Sequence, residues 1–162
     1  ITAKSEPVFG GVYKLTAVEN EQGEIIPKIK CSENVEKITI PHFKKVYRLY
    51  NKDNGKAIAD YMTVYDEVVD ENEPMMLFDP YATWKTKNVC NYQARELLVP
   101  VFLKGKRVYE SPALKDIQTY CKQQVDTLWD EIKRFDNPQT YYVDLSQKLW
   151  DIQQELLRKN RN

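Results

Sequence analysis

The feature that most constrains this chain is a change of hydrophobic period about two-thirds of the way along it. Up to about residue 109 the apolar residues alternate in short runs divided by turn-forming residues; beyond it they recur every three or four positions. A period of two places alternate side chains on one face of a strand, and a period near 3.6 gathers them on one face of a helix. The chain is therefore predicted to be α+β, mainly antiparallel strands and hairpins followed by two C-terminal amphipathic helices. Val12 to Val18 alternates between Gly10-Gly11 and the turn signal Glu19-Asn20-Glu21-Gln22-Gly23. Residues 24–30 alternate again with Ile25 and Ile29 on one face, and Pro27 marks the run as an edge or bulged strand. Residues 45–50 and 56–62 flank a loop ending in Asn54-Gly55, a strong hairpin cue. A third hairpin is predicted over residues 97–108, turning on Lys104-Gly105.

The first helix is predicted over about 112–135. Ser111 offers an N-cap oxygen and Pro112 suits a first helical position. Leu114, Ile117, Cys121, Val125, Leu128, Ile132 and Phe135 form its stripe, and Asp136-Asn137-Pro138 stops it. The second is predicted over about 144–158, with Leu145, Leu149, Ile152 and Leu156 in line and Lys148, Arg158, Lys159 and Arg161 in its later turns. Each stripe reads as core, to be buried on the sheet or on the other helix.

Composition removes several function classes. The chain has 162 residues, 24 basic and 24 acidic, so its formal net charge is zero. A dedicated nucleic-acid binder of this size would be strongly basic. The longest apolar run, residues 97–103, contains Pro100 and is too short to span a bilayer. No nucleic-acid or membrane partner is expected. Cys31, Cys90 and Cys121 are an odd, widely spaced set, and His42 is the single histidine. Reduced, partly buried thiols of a cytoplasmic protein are the reading, without a disulfide framework or a metal site. His42 follows Pro41 in a predicted solvated loop. Nucleotide-binding glycine motifs are absent, and there are five glycines where about eleven would be usual. Any phosphate cradle here would draw on lysines and Gly10-Gly11. The chain opens on Ile1 with no signal-like segment before its first strand, and so reads as a piece of a longer protein.

Charge is unevenly placed. Between Lys28 and Arg48 stand six cations against Glu33 and Glu36, and Asp66 to Glu73 holds five acids and no base. The acidic run reads as a solvated loop. In the basic stretch, lysines interleaved with turn residues can converge on an anion.

Longer strings add a resemblance. Gly10-Gly11-Val12-Tyr13-Lys14-Leu15, the run from Ile26 to Thr39 and Phe43-Lys44-Lys45-Val46-Tyr47-Arg48-Leu49-Tyr50 resemble the C-terminal part of bacterial nicotinate phosphoribosyltransferases. Gly55-Lys56-Ala57-Ile58-Ala59-Asp60, Ala94-Arg95-Glu96-Leu97-Leu98-Val99-Pro100, Leu128-Trp129-Asp130-Glu131 and Tyr142-Val143-Asp144-Leu145-Ser146 continue it in order. The family usually has glycine where this chain has His42.

The resemblance implies an enzyme that couples nicotinate to phosphoribosyl pyrophosphate, assisted by ATP and Mg2+, to give nicotinate mononucleotide for NAD synthesis. It implies a homodimer built on an irregular α/β barrel, with residues 1–40 as the last strands leading from that barrel and 41–162 as a C-terminal domain. The family's phosphorylatable histidine, its nicotinate-binding arginine and most of its phosphate loops lie upstream, so no catalytic residue is expected here and the segment alone is expected to be inactive. Gly10, Gly11, Lys14, Lys30 and Lys37 are the phosphate-binding candidates, of which Lys14, Lys30 and Lys37 would reach phosphates in the neighbouring subunit's site. Magnesium would sit on the phosphates, without a ligand set in this segment. Two other readings stand beside this one. The first is a bracing or dimer-forming module without ligand contacts, suggested by eleven tyrosines and three tryptophans, with Trp84 and Trp150 covered by barrel or partner. The second is a free-standing anion-binding domain that uses the basic stretch.

Overall fold

A computed structural model of the chain describes residues 10–160. The predicted barrel strands therefore fall partly, at residues 1–9, outside the described residues. The chain divides into two units, residues 1–43 with 151–162 and residues 44–150. As predicted, it is an α+β protein in which antiparallel strand pairs dominate.

The first unit holds a small hairpin of β1 (Ala17–Glu19) and β2 (Ile25–Pro27), in which Val18 faces Ile26. The predicted turn between them forms around Asn20, whose Oδ1 accepts from the backbone N–H groups of Gln22 and Glu24 at 3.0 and 2.8 Å. Gly23 closes it at φ +80°, a conformation that costs glycine least. Both strands are shorter than their alternation suggests. Residues 12–15 are exposed and unpaired with β2, and Pro27 has no N–H to extend the ladder. A short 3-10 turn, Val35–Lys37, follows.

The second unit is built on a four-stranded sheet in the order β10-β4-β3-β7. Here β3 is Lys44–Asn51, β4 Ala57–Val64, β7 Tyr92–Glu96 and β10 Val143–Leu145. The predicted β3–β4 hairpin is present and its loop is made by asparagines. Asn51 Oδ1 accepts from the Asp53 N–H at 2.7 Å, Asn54 Oδ1 from the Lys56 N–H at 2.9 Å, and Gly55 takes φ +67°. Tyr47, Leu49 and Ala59 from this hairpin pack with Leu77, Val89 and Tyr92 into one buried cluster. Leu77 and Val89 come from β5 (Met75–Asp79) and β6 (Ala82–Val89), a second hairpin that the alternation did not reveal. The hairpin at Lys104-Gly105 is present in miniature as β8 (Phe102–Leu103) and β9 (Lys106–Arg107). Both turn residues have positive φ, the two-residue turn that matches strand twist.

Four expectations are corrected. First, β10 pairs with β4 in parallel, Asp144 facing Tyr61, so the sheet is not wholly antiparallel. The pairing joins segments about eighty residues apart, and only a long crossover permits it. Second, α1 is Leu114–Asp126, so it starts after Ser111-Pro112 and stops well before residue 135. Its first carbonyl is that of Ala113, which accepts from Asp116 and Ile117, and no side chain caps it. At its end the Thr127 hydroxyl turns onto the Gln124 carbonyl at 2.6 Å. The chain then leaves the helix to bond β4: Ala57 N–H donates to Thr127 O at 2.9 Å and Trp129 Nε1 to Ala57 O at 3.1 Å. Phe135, at the end of the predicted stripe, is fully exposed.

Third, all three cysteines are exposed where partial burial was expected, and Cys121 lies on a helix with no buried residue. Fourth, the acidic run is a fastener. Glu67 Oε2 accepts from Val64 N–H and from Ser146 Oγ, both at 2.7 Å, and Glu71 Oε1 accepts from Ala94 N–H at 2.8 Å. Asp66 pairs with Lys148 at 2.8 Å, and the Asp70 and Glu73 carbonyls receive the Tyr92 hydroxyl. A run of acids placed on buried donors holds strands together as well as solvating a loop.

The second helix, α2 (Gln147–Lys159), begins at Ser146, whose Oγ accepts from the Leu149 N–H. Leu149 is completely buried, and further on Gln153 is buried and donates to the Thr39 carbonyl. No helix among the described residues is long and apolar enough to cross a membrane.

Candidate functional site

The candidates for phosphate contact lie in the first unit. Lys14 and Lys37 come together: Lys14 Nζ donates to the backbone carbonyl of Lys37 at 3.2 Å, bringing two cations to one exposed loop. Lys30 is held in the same loop by its backbone. Its N–H donates to Thr39 Oγ1 at 2.8 Å and its carbonyl accepts from the Thr39 N–H at 3.3 Å. An ammonium carries three donors, and the Lys37 carbonyl takes one of those on Lys14.

Gly10 and Gly11 are exposed, and a Cβ built on either meets nothing within 4 Å. Neither has a positive φ. Nothing in the described chain requires glycine at either position, so no approach of these residues to the lysines is established.

The basic stretch is divided between the units. Lys28, Lys30 and Lys37 belong to the first, and Lys44, Lys45 and Arg48 to the second. Arg48 is committed inside the sheet, with Nε and an Nη on the two Asp60 oxygens at 2.8 and 2.9 Å. The bond to Asp60 raises the guanidinium's pKa, and the charge lies 5.7 Å from the Tyr141 ring centre. Tyr141 donates to Asp60 Oδ1 at 2.9 Å, and burial, followed by the Asp60 charge, raises its phenol's pKa. Burial pushes the Lys44 ammonium down to about 8.

His42 differs from its expected setting. It is half-buried, with φ +79° and Nδ1 3.2 Å from the Phe43 carbonyl. That φ is left-handed and disfavours any residue with a Cβ, which gives a physical reason for glycine at the position. Trp84 is 79% exposed. Trp150 packs edge-on against Phe78 within the second unit, 6.1 Å between ring centres.

The second unit contains a feature that strand patterning did not disclose, a cavity of about 950 Å³. Trp84, Trp129, Tyr141 and Asp144 are in its wall. Trp129 and Asp144 stood in the strings quoted above, but the residues that surround them come from four separate segments. No group of three or more metal-ligating side chains occurs among the described residues. They do not fit a magnesium site.

Residues 43–153 match a family model described as the nicotinate phosphoribosyltransferase C-terminal domain. The chain is 42% identical over 150 residues to the nicotinate phosphoribosyltransferase of Bacillus subtilis, covering 93% of this chain and 30% of that protein. It is 32% identical over 162 residues to the Caenorhabditis elegans protein of the same name, covering 99% and 28%. Among solved structures, human nicotinic acid phosphoribosyltransferase superposes with a TM-score of 0.66 at 23% identity, over 74% of this chain and 24% of that one. The chain thus spans less than a third of the length of these relatives.

Proposed function

The chain belongs to the nicotinate phosphoribosyltransferase C-terminal domain family, and from that premise we propose that it is the C-terminal segment of an enzyme joining nicotinate to phosphoribosyl pyrophosphate. The product would be nicotinate mononucleotide, made with the help of ATP and Mg2+ for NAD synthesis in the cytoplasm. The match of residues 43–153 to the family model is the observation that carries this reading. Barrel, nicotinate site and phosphorylatable histidine would be supplied by the upstream two-thirds of the protein, in a homodimer. The segment alone would be inactive.

Within that reaction the segment's own contribution would be electrostatic. Pyrophosphate departs from a cationic ribosyl centre, and lysines fixed near the leaving group offset its charge. Lys14 and Lys37, joined through a backbone carbonyl, are assigned this role, and Lys30 stands beside them on the same loop. Magnesium would sit on the phosphates, and the described residues offer no ligand set for it.

The test uses the full-length enzyme of which this segment is part. Purified enzyme should form nicotinate mononucleotide from nicotinate and phosphoribosyl pyrophosphate, and the isolated segment should form none. Lys14→Ala and Lys37→Ala should raise KM for phosphoribosyl pyrophosphate or ATP by about tenfold, the worth of one charge-assisted contact. An active enzyme with unchanged kinetics in both variants would remove the phosphate role and leave the family assignment in place.

A second reading, that the segment braces the barrel or a second subunit without touching ligand, is favoured by one observation. Phe102 and Leu103 on the β8–β9 hairpin, with Leu114 and Ile117 on α1, are large apolar residues open to solvent. Deletion of residues 101–126 from the full-length enzyme should dissociate its dimer in sedimentation.

A further inference from the structure

The cavity in the second unit has the composition of a ligand site, and none of the phosphate candidates lines it. Its volume of about 950 Å³ is at the upper end of the range for pockets that enclose small molecules. Two of its walls are prefixed by bonds made elsewhere. Trp129 is anchored by Nε1 on the Ala57 carbonyl, and Tyr141 by its hydroxyl on Asp60. Trp84 stands on the outer strand β6 with most of its indole in solvent.

Asp144 supplies the second, independent observation. It is 5% exposed and lies in the cavity wall, and its buried Oδ1 has no hydrogen-bond partner. A buried carboxylate oxygen without a partner is costly, and the groups that relieve it are donors or cations. Asp79 and Glu131 share the wall with Lys85 and Lys87. The two lysines are exposed, whereas the acid at Asp144 is buried. Burial, and after it the Asp79 charge, push the Asp144 carboxyl up to about 6, so it is mainly ionised at neutral pH.

We propose that this cavity binds a small organic cation, an ammonium or guanidinium-type group on a flat apolar body, with Asp144 accepting its N–H groups and Trp84 and Trp129 contacting its body. Indole faces attract cations, and a carboxylate with a bidentate acceptor edge matches an amidinium or guanidinium. A neutral amide of the same shape can also donate an N–H to Asp144, but without the positive charge that strengthens the bond to a carboxylate.

Benzamidine is a suitable probe and benzamide its neutral counterpart of the same shape. The whole chain is titrated with each at pH 7.5, following the indole N–H resonances of Trp84 and Trp129. Benzamidine should shift both saturably and bind at least about tenfold more tightly than benzamide, the worth of one charge-assisted hydrogen bond. Asp144→Asn should abolish that preference. Trp84→Ala, at an exposed position outside the core, should weaken benzamidine by about threefold while preserving the spectrum. If Asp144→Asn does not fold, the benzamidine–benzamide ratio and Trp84→Ala still decide the matter. No saturable response to benzamidine, equal binding of the two probes, or shifts confined to residues outside the cavity would overturn the proposal.

Discussion

Two helices of 13 residues each, both carrying an apolar stripe, meet opposite fates in this chain. On α2, Leu149 is completely buried, while α1 contains no buried residue and leaves Leu114 70% exposed. Their starts differ in the same direction. The residues leading into α2, Asp144 to Ser146, are all buried, whereas residues 101–113 before α1 are all exposed. Polar contacts at one end hold α1 to the sheet: Gln124 Oε1 accepts from the Tyr50 hydroxyl at 3.0 Å and from Arg95 at 2.7 Å. Arg95 also lies over the rings of Tyr50 and Tyr120. A helical period states that a face wants cover and does not state what covers it. In one helix the chain itself supplies the cover; in the other it does not.

The sharpest break of that comparison is a matched pair of truncations. Leu149→Ala should cost about 2–5 kcal/mol, the usual range for emptying a closed core position. Val125→Ala on α1, at a position 44% exposed, should change stability by no more than about 0.5 kcal/mol. Urea denaturation of both variants measures the contrast. Equal losses would mean that the α1 face is covered in solution, and the comparison would fail.

The next effect concerns the approach to α2. The Asp144 carboxyl, flanked by Asp79 on β5 and Lys87 on β6, is raised to about 6 when folded, against about 4 in the unfolded chain. Between those values the folded state holds the extra proton, so stability falls as pH rises through the window. Above it the penalty is complete, at about 3 kcal/mol by linkage. Asp144→Asn should flatten the profile between pH 4 and pH 6 (about two units), read as the denaturation midpoint against pH. An unchanged slope would place the titration on another group.

These cases separate what was legible in the residues from what was not. Asn54-Gly55 and Lys104-Gly105 were legible because a turn is local, and its chemistry lies in adjacent residues. The change from strand to helix near residue 110 was legible for the same reason. Pairing of β10 with β4 was not, because parallel strands are joined by register across a long crossover, and no nearby residue records it. The end of α1 was hidden too. Its stripe continues to Phe135, but Thr127 O and the Trp129 indole are claimed by Ala57 on β4, some seventy residues earlier. At the site level, Lys14 and Lys37 were singled out through the resemblance, and the Lys14 ammonium reaches the Lys37 backbone carbonyl. The cavity around Asp144 escaped because each wall residue is unremarkable in its own segment.

The smallest effect tests the helix starts directly. Ser146 accepts the Leu149 N–H and donates its hydroxyl to Glu67, so it caps α2 and ties it to the acidic fastener at once. Ala113 at the equivalent position of α1 has extended backbone, φ −64° and ψ 151°, but offers no side-chain oxygen. Ser146→Ala should cost about 1–2 kcal/mol, since a capping bond is lost and the half-buried Glu67 carboxylate loses a donor. Ala113→Ser should gain about 1 kcal/mol at most, because the backbone is already set for a cap and Asp116 already favours the helix dipole. Amide exchange along α1 reads the second change more finely than global denaturation, since an exposed helix frays from its ends. Slower exchange confined to the first turn of α1 would establish that its weak start is a missing oxygen. Slower exchange along the whole helix would mean that α1 opens as one unit, held at its end by Gln124, Arg95 and the Lys56 ammonium on the Asp126 carbonyl.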